Sequence, residues 1–228
     1  MAVTTTVQDI LSAAYGRSAK NARGSLGTEA TELTKLVGRL LRGAFAVGAR
    51  VNPTFFAQKA TIGFGSDSWT RPEYAEAIMR IEKEDGTEVV VVPFDDRAAE
   101  PTKPALYRFG QKFYTAGNVL DPVAGNLVFW CSRRCDVPAA PTDVLDSQWV
   151  ESYNDLLIAQ VAIYLALKDN RGEEVPLLTG ERDQWFNLFV AFLEHETANE
   201  RRRFGHIRYV NTESLVTLKA LFLSGGDA

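Results

Sequence analysis

The most distinctive hydrophobic pattern in this chain is an almost wholly apolar segment at residues 156–167. A surface helix normally has one apolar stripe and one polar face, whereas this segment carries a single polar side chain, Gln160. It predicts a helix at about residues 147–169 that is covered on several sides, either by the chain's own fold or by neighbouring copies. A bilayer span needs about 20 apolar residues, so the segment is too short to cross a membrane.

Three further helices are predicted from apolar residues that recur every three or four positions. They lie at about residues 4–16, 28–48 and 181–203. The helix at 28–48 has a regular apolar stripe opposite a charged face, so it has a docking face. The helix at 181–203 follows the apolar helix after a short loop, which is typical of an antiparallel helical pair. Together these segments indicate a helical bundle.

The middle third of the chain has the pattern of β-strands. Residues 74–82 alternate with a period of two, Asp85 and Gly86 form a strong hairpin-turn signal, and residues 89–92 are a run of valines. Further strands are predicted at about residues 105–109, 112–116 and 126–133. This pattern predicts a small, mainly antiparallel sheet, or a partial barrel, inserted between the helices.

The predicted fold class is therefore α+β: a helical bundle with an inserted small antiparallel β-sheet and an extended C-terminal arm. The N-terminal helices of the bundle are placed at residues 1–50 and the β-rich insert at residues 51–136. A C-terminal helical hairpin at residues 137–204 completes the bundle. Residues 205–228 form the predicted docking arm.

Two predicted contact surfaces follow from apolar side chains that have no obvious place within the chain. The C-terminal segment has no obvious intramolecular partner, so we expect it to bind a partner protein through Leu215, Leu218 and Phe222. The basic run that precedes it is interpreted as a helix C-terminus beside an acidic partner surface rather than as a phosphate contact; it comprises Arg201, Arg202 and Arg203. Neighbouring subunits are expected to meet at the apolar helix through Ile158, Ala162, Ile163 and Ala166.

The composition is that of an ordinary folded protein, with 46% hydrophobic and 24% charged residues. The net charge of −4 provides no basic field of the kind that holds nucleic acid, although a channel that lets DNA pass would tolerate this balance. The chain begins without the charged start and apolar core of a signal peptide. We therefore expect assembly in a cytoplasm, with reduced thiols.

Candidate catalytic and metal-binding residues are few. His195 begins a pattern like the helix of zinc metalloproteases, but Asn199 occupies the place of the second histidine. Cys131 and Cys135 have no second pair of ligands nearby, so we interpret them as buried free thiols rather than as a zinc site. We expect no catalytic residue, no cofactor and no metal.

Three passages of the sequence carry a family resemblance. They are residues 6–14 at the start, the strand and proline-marked linker at residues 127–138, and residues 149–170 with the helix that follows. In this order they resemble the head–tail adaptor proteins of tailed bacteriophages, which are also called connector or head-completion proteins. In that family a short N-terminal helical segment precedes a helical bundle that carries inserted strands or loops.

The resemblance implies a structural virion protein rather than an enzyme. It implies a homomeric ring, commonly a dodecamer, that is clamped beneath the portal protein at the head–tail connector of the virion and is assembled in the host cytoplasm. Double-stranded genome DNA would pass through its lumen without specific binding. A chain end would reach into the portal protein or an adjacent neck or tail protein, and no membrane is involved.

Two other interpretations stay open at this point. Another structural protein of the neck or tail, such as a stopper or a tail terminator, is the first of them, and those proteins are commonly dominated by β-structure. The second is a small enzyme whose site is assembled from scattered residues. Its candidate residues are Asp95, Asp96, His195 and His206.

Overall fold

A computed structural model of the chain describes residues 4–18, 27–98, 103–117, 123–204 and 214–226. These residues form five α-helices and seven β-strands, and the chain divides into two compact units. The helical unit consists of Met1–Asn52 with Cys135–Ala228, and the sheet unit is Pro53–Arg134. The sequence placed the β-rich insert at residues 51–136.

The helices belong to the helical unit. They are α1 (Val7–Arg17), α2 (Gly27–Val51), α3 (Asn154–Lys168), α4 (Val175–Phe204) and α5 (Leu215–Ser224). A capping box fixes the start of α1: the Thr6 side chain accepts a hydrogen bond from the backbone N–H of Asp9, and the Asp9 carboxylate accepts one from the N–H of Thr6. The first four helices confirm the helices predicted from the apolar periodicity, with α3 beginning after a 3-10 turn at Glu151–Tyr153.

The apolar helix α3 is covered inside this chain. Helices α1, α2 and α4 all pack against it, and these contacts bury most of its length. The buried residues are Leu156, Leu157, Ile158, Ala159, Val161, Ala162, Ile163, Leu165 and Ala166. Of the two alternatives left open by the sequence, cover by the chain's own fold is the one that the structure shows, because α1, α2 and α4 of the same molecule pack against this helix.

Ion pairs at the ends of the helices add to this packing. Arg17 of α1 pairs with Asp155 at the start of α3 and, at 2.6 Å, with Glu181 of α4. Lys168 at the end of α3 lies 3.0 Å from the carboxylate of Glu32 in α2. Since these side chains are partly or fully exposed, the ion pairs add little to the stability of the unit, and most of its stability comes from the burial of apolar side chains.

The C-terminal segment is a helix, not an extended arm. Ser214 caps the N-terminus of α5, and Gly225 ends the helix in the left-handed conformation. Leu218, Leu221 and Phe222 are buried where α5 packs against α2. The prediction that this segment lacks an intramolecular partner is therefore wrong; residues 205–213 of the predicted arm lie outside the described residues.

The strands of the sheet unit form a seven-stranded, nearly closed mixed sheet. They are β1 (Ala57–Ile62), β2 (Trp69–Thr70), β3 (Ala75–Lys83), β4 (Glu88–Val92), β5 (Ala105–Phe109), β6 (Lys112–Thr115) and β7 (Leu127–Arg133). Their order in the sheet is β1-β7-β3-β4-β5-β6-β2. Strands β4 and β5 are parallel, and the other pairs are antiparallel.

The core of the sheet unit is built from aromatic and aliphatic side chains on one face of the strands. Trp69, Phe113 and Phe129 are fully or almost fully buried, and the ring centroids of Phe113 and Phe129 are 5.4 Å apart. The indole N–H of Trp69 donates a hydrogen bond to the carbonyl oxygen of Gly125 at 2.8 Å. This bond satisfies the one polar atom of a buried indole.

The predicted fold class is wrong, because a helical bundle with a small antiparallel sheet and a C-terminal arm does not describe this structure. The sheet has seven strands, and the parallel pair β4 and β5 makes it mixed. Strands β1 and β2 escaped prediction because Ala57–Ile62 does not alternate cleanly in polarity and Trp69–Thr70 is only two residues long. Parallel pairing joins segments that are distant in sequence, so local periodicity does not reveal it.

Candidate interaction surfaces

The four residues predicted to join neighbouring subunits lie in the interior of the helical unit. Ile158, Ala162, Ile163 and Ala166 all have buried side chains on α3. They contact α1, α2 and α4 of their own chain, so they contribute to the core of the folded molecule. A subunit contact through these side chains would require the helical unit to open, so in the folded unit they are not accessible to a neighbouring copy.

The predicted partner-binding residues separate into three groups. Leu218 and Phe222 are buried, and the centroid of the Phe222 ring lies 5.6 Å from that of Phe186 in α4. In the folded unit these two side chains are therefore not accessible to a partner protein.

Leu215 is half exposed at the first turn of α5. Arg201, Arg202 and Arg203 belong to the last turns of α4, and their side chains fall outside the described part of the chain, as does all of His206.

Helix α4 presents two exposed leucines; the sequence pattern had placed Leu188 on the apolar face of this helix, and Leu177 in the loop before it. Leu177 and Leu188 are both exposed. They are three helical turns apart, so they lie on the same face of the helix. We call these two residues the leucine face. The sequence did not identify this face, because the predicted helix began at about residue 181, whereas α4 begins at Val175 and includes Leu177.

The sheet unit carries a cluster of aromatic side chains on the face that points away from its core. Leu106 points into the core with Phe113, and successive residues of a strand face opposite sides. Tyr107 and Phe109 therefore face outward. Tyr107 pairs in register with Tyr114 on β6, and the two rings stack with centroids 5.4 Å apart.

A 3-10 turn after β4, Phe94–Asp96, completes this cluster. The Phe94 ring centroid is 5.8 Å from that of Tyr107 and 5.5 Å from that of Phe109. Phe109 is 63% exposed, Phe94 is 42% exposed, and Val90 on the same face of β4 is 38% exposed. We call Val90, Phe94, Tyr107, Phe109 and Tyr114 the aromatic patch.

Charged side chains of both signs border the aromatic patch. The Arg97 guanidinium lies over the Phe94 ring at 4.0 Å from its centroid and donates a hydrogen bond to the Phe94 carbonyl oxygen. Lys112 is the register partner of Phe109. Asp95 and Asp96 lie exposed in the 3-10 turn. The patch is thus an apolar centre with a polar rim, the arrangement that is typical of protein–protein interfaces.

The aromatic patch was not predicted, although a local signal was present in the sequence. The strands at residues 105–109 and 112–116 were predicted without an assignment of their aromatic side chains to either face. Tyr107 and Phe109 are two residues apart and so must share one face. The contribution of Phe94 could not have been predicted, because it depends on how the turn after β4 folds back over β5.

The candidate chemical residues with described side chains belong to different units of the chain. His195 is an exposed residue on α4, 3.7 Å from the Glu196 carboxylate, and Asp95 and Asp96 belong to the sheet unit. Burial raises the pKa of the Cys131 thiol to about 11, so the thiol is protonated near neutral pH. Within the described ranges, no three His, Cys, Asp or Glu side chains are grouped as metal ligands.

No protein-family model and no curated protein sequence matches this chain. In the part of the chain that the structure describes, none of the helices combines the length and the apolar character that a membrane span requires. The function is therefore inferred from the exposed surfaces themselves.

Proposed function

We propose that this chain is a structural virion protein, a head–tail connector adaptor that forms a homomeric ring beneath the portal of a tailed bacteriophage. The observation that carries the proposal is the aromatic patch. Phe94 and Phe109 keep about half of their surface in water, and covering the exposed half of each ring would contribute on the order of 1 kcal/mol. Aromatic residues at the centre of a polar rim are the usual anchors of a protein–protein contact.

A ring requires two different surfaces on each copy, because a head-to-tail contact joins unlike faces. The aromatic patch on the sheet unit provides one surface, and the leucine face on α4 provides the other. In the proposed ring, the patch of one copy covers Leu177 and Leu188 of the next. The side chains of Phe94 and Phe109 in the patch and those of the two leucines are wholly apolar, so contact between them leaves none of their own atoms as an unpaired polar group.

The charge of the chain suits a ring through which double-stranded DNA passes. Each phosphate contact adds affinity that would slow the movement of DNA, and a net charge of −4 provides little attraction. The first turn of α5, where Leu215 is 50% exposed, is the proposed contact with the portal or with an adjacent neck protein. Arg201, Arg202 and Arg203 precede this segment in sequence and are assigned to the same contact.

Electron microscopy of the purified chain mixed with portal protein from the same genome tests this proposal. The expected image shows a ring stacked on the axis of the portal. A Leu215→Ser variant is expected to keep the ring but lose the portal, because Leu215 lies outside both proposed subunit surfaces. A chain that stays a monomer and ignores the portal would refute the adaptor function.

A further inference from the structure

Strand β1 forms one edge of the seven-stranded sheet, and β2 forms the other. Strand β2 is only two residues long, whereas β1 comprises six residues, Ala57–Ile62. Strand β1 contains no proline and pairs with β7 without a register shift. An uninterrupted edge strand of this kind is a template for hydrogen bonds with a further strand.

The pairing with β7 shows which backbone groups of β1 point away from the sheet. The carbonyl oxygen of Phe56, directly before β1, accepts a hydrogen bond from the backbone N–H of Arg133 at 3.1 Å. In an antiparallel pair the backbone groups of every second residue point to the same neighbour, so those of Lys59 and Thr61 point away from β7. Among the described residues these groups have no hydrogen-bond partner. We call the N–H and carbonyl groups of Lys59 and Thr61 the open edge.

The two faces of β1 set different requirements for the side chains of an added strand. Ala60 belongs to the core of the sheet unit together with Trp69, and Ile62 packs against the same core. Lys59 and Thr61 are exposed and lie on the other face, because successive residues of a strand alternate. Directly opposite residues of two paired strands share a face. An apolar side chain opposite Ala60 would therefore extend the core, whereas polar side chains suit the positions opposite Lys59 and Thr61.

Lys59 carries a positive charge that is not paired with a carboxylate in the described part of the chain. Its Nζ lies over the ring of Trp130, its register partner on β7, at 5.5 Å from the ring centroid. The indole N–H of Trp130 donates a hydrogen bond to one carboxylate oxygen of Glu82 at 3.0 Å, and the other oxygen lies 2.8 Å from Nε of Arg80. The charge of Lys59 is therefore available to an added strand.

The position of Lys59 favours one kind of added strand over another. A lysine within an edge strand disfavours pairing with a second copy of that strand, because like charges directly opposite each other are destabilising. An aspartate or glutamate opposite Lys59 instead forms a favourable cross-strand pair. The open edge is thus suited to an acidic segment of another protein.

We propose that the open edge of β1 binds an extended acidic segment of a partner protein by strand addition. The segment runs antiparallel to β1, the more stable arrangement, and places an acidic residue opposite Lys59 and an apolar residue opposite Ala60. Its main chain provides the affinity, and the alternation of its side chains provides the specificity. The aromatic patch and the leucine face take no part, so the proposal does not depend on ring formation.

Fluorescence anisotropy of labelled peptides mixed with the full chain tests the proposal. The probe is a short capped peptide in which valine alternates with threonine and the central polar residue is glutamate, and its twin has lysine at that position. We expect saturable binding of the glutamate peptide, about threefold to tenfold tighter than that of the lysine peptide, the usual difference between an attractive and a repulsive cross-strand pair. Lys59→Glu should reverse this preference.

Thr61→Pro tests the main-chain contact. Proline removes an N–H that points away from β7, so the hydrogen bonds between β1 and β7 stay in place. This variant should bind the glutamate peptide about threefold to tenfold more weakly than wild type, the effect of losing one hydrogen bond. Thr61→Val keeps the N–H and the branched side chain and should bind like wild type. Circular dichroism checks that both variants keep the sheet, and if Thr61→Pro does not, the reversal in Lys59→Glu decides.

Three results would overturn the proposal. They are the absence of saturable binding of both peptides up to about 1 mM, equal affinity of wild type for the two peptides, and an unchanged preference in Lys59→Glu. A folded Thr61→Pro protein whose oligomeric state differs from that of wild type would assign the open edge to a second copy of this chain, which also contradicts the proposal.

Discussion

The backbone of Phe222 in α5 rests directly on Gly43 in α2. A β-carbon added to Gly43 would lie 2.8 Å from the Phe222 α-carbon and closer still to its carbonyl oxygen. Glycine is therefore required at this position for the two helices to approach so closely. The same approach places the Phe222 ring in the interior of the helical unit, where it meets Phe186.

Gly43→Ala should lower the free energy of unfolding by about 1–3 kcal/mol or more, because the added methyl group meets backbone that cannot rotate away. Chemical denaturation measures this change. Gly180→Ala is the matched control, since Gly180 is an exposed position of α4 with no atom within 4 Å of an added β-carbon. That variant should be neutral or stabilising by about 0.5–1 kcal/mol. Equal effects of the two substitutions would contradict the close contact.

Phe222→Ala should lower the free energy of unfolding by about 3–5 kcal/mol, the usual effect of truncating a fully buried phenylalanine. Val216→Ala, in the same helix, should change stability by no more than about 0.5 kcal/mol, because Val216 is 74% exposed. Thermal or urea unfolding of both variants measures the difference. A Phe222→Ala protein as stable as wild type would mean that α5 is not docked, and the C-terminal segment would again be a candidate for partner binding.

Stability above pH 10 should depend on Tyr15. Burial, together with a hydrogen bond donated to the Glu29 carboxylate at 3.1 Å, raises the pKa of Tyr15 from 10 to about 12. Between pH 10 and about pH 12 the Tyr15 hydroxyl is ionised in the unfolded chain but still protonated in the folded chain. The free energy of unfolding therefore falls as the pH rises through this interval. The contribution of Tyr15 to this loss is about 1.4 kcal/mol by pH 11.

Tyr15→Phe removes this ionisation. Its unfolding free energy should therefore fall less steeply than that of wild type between pH 9 and pH 11, and the two curves should converge or cross. Parallel curves over this interval would show that Tyr15 has the same pKa in the folded and the unfolded chain, which would contradict the prediction.

The sequence predicted those parts of the fold that depend on local periodicity. Helices α1 to α4 followed from apolar residues at helical spacing, and the hairpin between β3 and β4 followed from Asp85 and Gly86. The docking of α5 could not be predicted, because one glycine at position 43 gives no sign of which segment will approach it. The parallel pairing of β4 with β5 joins strands separated by the chain between Val92 and Ala105, so it leaves no local signal.

The contact surfaces were predicted less well than the fold, for a physical reason. An apolar helix such as α3 looks the same in sequence whether its own chain or a neighbour covers it. Exposed apolar residues such as Phe109 and Leu188 are recognised only when the face they occupy is known. The aromatic patch and the leucine face were therefore identified only once the structure had shown which of their side chains are exposed.

Native mass spectrometry of the isolated chain tests most directly whether copies associate through the aromatic patch and the leucine face. The wild-type chain should give a closed oligomer, and Phe109→Ser and Leu188→Ser should each shift it to monomer. Leu167→Ser, which changes an exposed leucine of α3 outside both surfaces, should assemble like wild type. A wild-type chain that is monomeric at every concentration, or a Phe109→Ser variant that assembles unchanged, would contradict the proposed ring.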